Sequence, residues 1–440
     1  MNFTARSHAY QVLKEIQDKT LYANLYTPKY FIENNLTTSD KARITDLVMG
    51  SLRWSLFLDT VIESSAKREI SSLENNLVKL LRLASYEILF GKTAKEILVS
   101  EWVNQAKNLL GDRTKGIVNA VLRRVSEKDF EGWQQHILTK YPGDLSRAWS
   151  HPQWVIDKFL QVLPDDQEIV DLLRTNNSPP TNWKVLKVDS QSDERESLSP
   201  TAFKAGGKET TALSSGVNQN IRIQDAASQA AAYLLAHYQR SSDETFWLDA
   251  CAAPGGKTAT LLQERGNQSI SIDAYDIHPH KKRLIEHNVR NFDNVQVEIA
   301  DSRLSPWRER KYDRIMLDAP CTGLGAIRRR AESRWTKEPQ SIAELLITAK
   351  ELFDACFKSL KVSGYLAYVV CSPIKEETDD FIAWVLKNYP NASVIDPVDY
   401  LPVFDTDSAA DLVDMTQSGL RFWPHKHQTD AMFIALITKS

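Results

Sequence analysis

From about residue 226 onward the chain alternates short apolar runs with helical stripes, and that rhythm narrows the possible folds more than any other feature. QAAAYLLAHY has helical spacing, TFWLDA is a short apolar strand, and after a turn KTATLLQERG is helical again. SISIDAYD, VQVEIAD, YDRIMLDAP and GYLAYVV read as further strands. HKKRLIEHNVRNF follows the first of these as a helix, and IAELLITAKELFDACFKSL lies between the last two. Strands alternating with helices predict a parallel sheet covered on both faces, because parallel neighbours need a long crossover that is usually helical. Ligands meet such sheets beyond the carboxyl ends of the strands. Asp249, Asp276, Asp301, Asp318, Cys321 and Cys371 all fall at such ends.

The N-terminal part follows a different period. Ala9, Val12, Leu13 and Ile16 recur at helical spacing. So do Leu77, Leu80, Leu81, Ala84 and Ile88, and again Val118, Val121, Leu122 and Val125. Such stripes bury against one another and predict an all-helical bundle. Arg123 and Arg124 read as a solvated face of it. YPGD, SHPQW and NNSPP then interrupt the pattern, WKVLKV is strand-like, and the stretch from Asp189 to Gly216 is too polar to bury. The expected organisation is a helical domain over 1–135, a small α+β connector over 136–225 and an α/β domain over 226–440.

At 440 residues, two or three domains are expected. There is no run of about 18 apolar residues, so no membrane span is expected. The start, MNFTARSHAYQVLKEIQ, does not read as a secretion signal. The four cysteines show neither C-x-x-C nor paired Cys/His spacing, so no metal is expected, and the cytoplasm is the simplest location for the unpaired thiols. The net charge of −3 argues against a general polyanion binder. Yet Arg308, Arg310, Lys311, Arg314, Arg328, Arg329, Arg330 and Arg334 gather around Cys321, while Asp405, Asp407, Asp411 and Asp414 balance the total. A basic patch of this kind suits phosphates, and an exposed basic loop with no ligand is nearly as good a reading.

The turn LDACAAPGGKT, with Cys251, Ala252, Ala253, Pro254, Gly255, Gly256 and Lys257, links a strand to a helix. Its glycines permit close approach of a ligand. A phosphate loop requires a glycine where Cys251 stands, and G-x-G-x-x-G is absent. Asp276 lies twenty residues beyond Gly256, at a strand end where an acid can bind ribose hydroxyls, and Asp301 ends the third strand, where it could face an adenine. A permissive turn with two acids suits S-adenosylmethionine better than a nucleoside triphosphate.

Cys321 and Cys371 each follow a strand, and neighbouring strands lie about 4.8 Å apart, so both sulfurs could reach one substrate ring. Ser372 and Pro373 read as the cap and first residue of a helix, which would favour the Cys371 thiolate. Cys356, on an apolar stripe, reads as structural, and Cys251 as a backbone position more than a reactive sulfur.

DAPC at Asp318–Cys321, the pair Cys371–Ser372, CAAPGGK at 251–257 and IQDAASQ at 223–229 together resemble the RNA cytosine-5 methyltransferases of the Nol1/Nop2/Sun type. LRWSLFLDTVI, LRLASYEILF and GIVNAVLRR resemble the NusB domain, and the pairing of the two is similar to methyltransferases of small-subunit (16S) ribosomal RNA. Val370, and Asp430, Ala431, Met432, Phe433, depart from the Thr-Cys-Ser and D-G-F-F segments of that family. The resemblance implies a Rossmann-like catalytic domain that binds S-adenosylmethionine and an RNA partner. It implies Cys371 as the nucleophile on carbon 6 of a cytosine, Cys321 as the group assisting loss of the carbon 5 proton, and Asp318 bonding the ring edge. Transfer RNA as substrate, or a catalytically silent assembly factor, are the alternatives.

Overall fold

Thr4 starts the first helix by a reciprocal cap, its hydroxyl accepting from Ser7 N–H at 3.3 Å while its own N–H donates to Ser7 Oγ at 2.9 Å. In that helix, Ala5–Asp18, the stripe Ala9, Val12, Leu13 and Ile16 is buried. The stripes of Asn75–Phe90 and Lys115–Ser126 are buried as well. The computed structural model describes residues 4–186, 202–204, 221–266, 268–397, 400 and 414–440. Of the polar stretch from Asp189 to Gly216 only Ala202–Lys204 is described, and the acids Asp405, Asp407 and Asp411 lie outside the described residues.

The described chain forms two compact units. The first runs to Pro179 and takes in Ile327–Lys337. It is all helical, from Ala5–Asp18 to Asp166–Asn176, so the helices after residue 135 belong to the bundle unit. A buried carboxylate ties four of its helices together. Glu87 accepts from Arg6 at 2.7 Å, Arg43 at 2.6 Å and the Trp102 indole at 2.6 Å. Burial alone would raise its pKa, but the two guanidinium groups hold it below the usual glutamate value.

The second unit, Pro180–Ala326 with Glu338–Ser440, carries the sheets. Strands β1 (Trp183–Leu186), β2 (Ala202–Lys204) and β3 (Ile221–Ile223) form a small antiparallel sheet in the order β2-β1-β3. The main sheet contains β4 (Phe246–Asp249), β5 (Ser271–Asp276), β6 (Val295–Ile299), β7 (Tyr312–Asp318), β8 (Leu360–Val370), β9 (Ala392–Ile395), β10 (Asp414–Thr416), β11 (Gly419–Phe422) and β12 (Met432–Lys439). Its order is β10-β11-β12-β8-β7-β4-β5-β6, with β9 also pairing β12. The five strands β4 to β8 pair with one another in parallel, as their alternation with helices predicts. The remainder is antiparallel, because β12 returns beside β8, with Phe433 opposite Val370. From β4 the chain builds outward through β5 and β6, then crosses to β7 on the other side of β4. The strand order reverses between β4 and β7, and a ligand crevice belongs at the carboxyl ends there.

Candidate active site

Asp318 is the last residue of β7 and stands opposite Val369 of β8. Ala319 N–H continues the pairing to Val369 O at 2.9 Å. The two strand ends leave the sheet side by side, and the Cys321 and Cys371 sulfurs lie 3.5 Å apart. The turn after Cys321 is pressed onto the one after Cys371. Gly325 N–H donates to Cys371 O at 2.9 Å, and Ala431 N–H donates to Gly325 O at 2.9 Å. A Cβ on Gly325 would stand 1.9 Å from Ala431 O, so only glycine fits.

Cys371 is not at a helix N-terminus, contrary to the expectation from Ser372 and Pro373. After Cys371 comes a single 3₁₀ turn, Lys375–Glu377, and the next α-helix, Asp379–Asn388, starts behind Thr378. The Ser372 hydroxyl lies 3.3 Å from Thr322 Oγ1 instead of capping a full helix. The positive charge that acts on Cys371 is that of a lysine instead of a helix dipole. Lys257, in the first turn of the helix Gly256–Glu264, donates to Asp318 Oδ2 at 2.7 Å. Burial works against the Lys257 charge, but Asp318, Cys371 and Asp249 together hold its pKa above the ordinary lysine value.

Glu377 was not singled out by the sequence. Its carboxylate accepts from Thr322 N–H at 2.7 Å and from Thr322 Oγ1 at 2.7 Å. Burial raises its pKa, opposed by the hydrogen bonds from Ser372 and Thr322. KEETDD reads as the acidic start of a helix, and no local pattern tells one of its acids from the next.

The turn from Cys251 to Lys257 lies at the end of β4. Gly255 has φ +104° and a Cβ there would stand 2.9 Å from Ile285 Cα, so this glycine serves both the turn and the packing. Asp276 fastens the turn to β5: Oδ2 accepts from Ala253 N–H at 3.3 Å and Oδ1 from His278 N–H at 2.9 Å. Asp301 is paired with its neighbour Arg303, whose Nε and Nη2 lie 3.0 and 2.6 Å from its oxygens. Those bonds hold the Asp301 carboxyl below its usual pKa. Asp249 is buried, with Oδ2 accepting from Thr258 Oγ1 at 2.6 Å and Oδ1 without a partner among the described residues. A buried carboxyl oxygen without a partner, beside a glycine turn, fits the cationic, amino-bearing S-adenosylmethionine, whose charge would favour the ionised Asp249. Cys251 and Cys356 are thiols whose pKa burial pushes up, as structural cysteines should be.

The arginine cluster separates into different roles. Arg314 is fully buried in a two-bond pair with Glu244. Arg310 pairs with Asp273 at 2.5 Å. Within the first unit, Arg334 is fully buried and donates to Ser150 O, Asn176 O and Asn177 Oδ1, at 3.1, 3.0 and 2.6 Å. Arg328 is buried and donates to Pro179 O at 2.8 Å. Neither presents its charge to a phosphate; Arg330 is exposed. Among the described residues no helix is long and apolar enough to cross a membrane, and no His/Cys/Asp/Glu group is arranged to hold a metal.

Residues 236–438 match the family model described as 16S rRNA methyltransferase RsmB/F, and residues 4–127 match that of the NusB family. The chain belongs to the RsmB-type rRNA methyltransferases. It is an enzyme of S-adenosylmethionine-dependent rRNA methylation. A Mycobacterium tuberculosis protein named as a methyltransferase is 29% identical, over 99% of this chain and 96% of its own. Ribosomal RNA small subunit methyltransferase B of Cronobacter sakazakii is 28% identical over 88% and 91%, and that of Proteus mirabilis 27% over 89% and 93%. The crystal structure of PH0851 shares the fold over 100% of both chains, with a TM-score of 0.75 at 21% identity.

Proposed function

We propose that this methyltransferase acts on carbon 5 of a cytosine in small-subunit rRNA, through a covalent bond between Cys371 and carbon 6. The observation that carries the reading is the 3.5 Å approach of two thiols beside the Lys257–Asp318 pair. Cytosine carbon 5 is too weak a nucleophile to take a methyl group unaided. The Cys371 thiolate adds to carbon 6, and the electron pair displaced from the 5,6 double bond makes carbon 5 nucleophilic. Asp318, held by Lys257, accepts from the amino group of the ring, and a proton passed from Lys257 through Asp318 to N3 neutralises the negative charge that develops on the ring and returns when Cys371 leaves. S-adenosylmethionine, when bound, supplies an electrophilic methyl group. Asp276 and the 251–257 turn orient it, and the orphaned Asp249 oxygen suits its ammonium group. Cys321 then assists loss of the carbon 5 proton, directly or through water. The carbon 5 electrons re-form the double bond, the carbon–sulfur bond breaks, and Cys371 leaves as thiolate. The base must leave its stack to be reached by both thiols.

The test uses undermethylated small-subunit RNA and labelled S-adenosylmethionine, with the methyl group mapped by bisulfite sequencing. Cys321→Ala is expected to accumulate a denaturation-resistant protein–RNA adduct, and Cys371→Ala neither to trap nor to methylate. An adduct that persists in Cys371→Ala overturns the assignment of the thiols.

A further inference from the structure

Two thiols 3.5 Å apart pose a problem that their spacing alone does not solve. A thiolate pair is costly at this distance, so near neutral pH the pair carries at most one negative charge and the remaining proton can sit on either sulfur. Covalent addition needs that charge on Cys371. The surroundings of the two sulfurs differ in sign. On the Cys371 side is a cation, Lys257, buried and fixed by Asp318. On the Cys321 side is an anion, Glu377, only 2% exposed. Its two oxygens are engaged by the N–H and the hydroxyl of Thr322, the residue after Cys321. The hydroxyl of Ser372, the residue after Cys371, lies 3.3 Å from Thr322 Oγ1 and works against the rise that burial imposes on the Glu377 pKa. Tyr368 closes the back of the site, its hydroxyl donating to Glu377 O at 2.9 Å.

We propose that Glu377 is a positioning residue for the thiol pair: it fastens the Cys321 turn to the Cys371 turn, and its charge on the Cys321 side keeps the shared proton on Cys321, so that Cys371 carries the thiolate. This rests on the covalent role of Cys371 given above. The Thr322 N–H can only donate, so the Glu377 oxygen that meets it accepts, and the hydrogen bonds of Thr322 favour the charged carboxylate against the effect of burial. The hydrogen bond with Cys371 is the largest influence raising the Cys321 pKa, followed by burial, and Glu377 adds to both. Once Cys371 has bonded to carbon 6 its charge is gone, and the main force protonating Cys321 goes with it. Cys321 then becomes able to release its proton to water and, as the thiolate, to take up the carbon 5 proton in the later step. The groups that face the pair are Lys257 and Asp318 on one side, Glu377 on the other and Tyr368 behind, the last neutral because burial raises its pKa well above the usual tyrosine value.

The experiment needs no RNA. The full-length protein is treated briefly with iodoacetamide at pH 7.5, and the label on Cys321 and Cys371 is quantified by peptide mass spectrometry. Wild type is expected to carry it mainly on Cys371. Glu377→Gln keeps an oxygen for the Thr322 N–H and loses the charge, and its label is expected to shift at least about fivefold towards Cys321. Thr322→Val keeps the carboxylate, and its label is expected to stay on Cys371. Thermal unfolding confirms that each variant is folded. An unchanged distribution in folded Glu377→Gln overturns the proposal, as does a Thr322→Val distribution altered as much as that of Glu377→Gln. Because the readout is thiol labelling, it stands apart from the methylation assay: wild type that labels on Cys371 but methylates no cytosine would sink the proposed function and leave the proton assignment intact.

Discussion

Asp249 shows how one side chain can carry a cost that its neighbours do not remove. It is sealed at the end of β4, and burial, opposed in part by the Thr258 hydrogen bond, pushes its pKa up to about 7. In the unfolded chain the same acid loses its proton above about pH 4. Between roughly pH 4 and 7 the folded state therefore holds more protons than the unfolded one, and stability falls as pH rises. A shift of this size corresponds to about 4 kcal/mol at most. Asp249→Asn keeps an acceptor for the Thr258 hydroxyl and has no proton to lose. In the ligand-free protein it is expected to flatten the decline across this window and to be more stable than wild type at pH 8. Urea unfolding at a series of pH values measures it, and parallel slopes for the two proteins would refute it. An acid kept at that cost, with one oxygen lacking a partner, is consistent with a ligand-binding position.

At the scale of elements, the site is made by two turns rather than by any one motif. β7 and β8 deliver Cys321 and Cys371 to the same edge, and the loop from Cys321 to Ala326 is then pinned by Gly325 against Cys371 and Ala431. Gly325→Ala places a methyl group 1.9 Å from Ala431 O and 2.9 Å from the Cys371 carbonyl carbon. Overpacking of this kind costs about 1–3 kcal/mol, and a displacement of about 1 Å at reacting groups costs on the order of 10²-fold in rate. The variant is expected to fold with a lowered melting temperature and to methylate RNA at least about 100-fold more slowly; a wild-type rate would show that the loop tolerates movement. DAPC and the Cys-Ser pair marked these turns in the sequence. The helix expected after Cys371 did not form at once, because the buried Glu377 carboxylate is committed to Thr322, fifty-five residues away in the chain, and not to a helical first turn.

For the whole molecule, the informative segment is Ile327–Lys337, which falls within the 236–438 methyltransferase match but belongs to the helical unit. Arg334 holds it there by hydrogen bonds to carbonyl and amide oxygens, with Arg53 O at 3.3 Å also among its acceptors. Removing this side chain leaves several buried acceptors without donors and opens a cavity. Arg334→Ala is expected to lose about 3 kcal/mol or more of stability, while exposed Arg330→Ala stays within about 0.5 kcal/mol of wild type. Denaturant unfolding separates the two. Equal, small effects would mean that Arg334 is a surface charge after all.

The sequence alone determined the elements and the chemistry at their ends. Hydrophobic period is local, so a bundle followed by alternating strands and helices could be read from residue spacing, and so could the acids and thiols at strand ends. Tertiary structure decided which of those groups meet. It placed Lys257 on Asp318, put the sulfurs in contact, engaged Asp301 with Arg303, and buried Arg314, Arg328 and Arg334 as internal supports. The physical reason is that a charge in a sequence has no sign of its environment. Whether an arginine is a phosphate ligand or a strut, and whether a carboxylate favours the protonated form of a nearby thiol or merely begins a helix, depends on partners that only folding brings together.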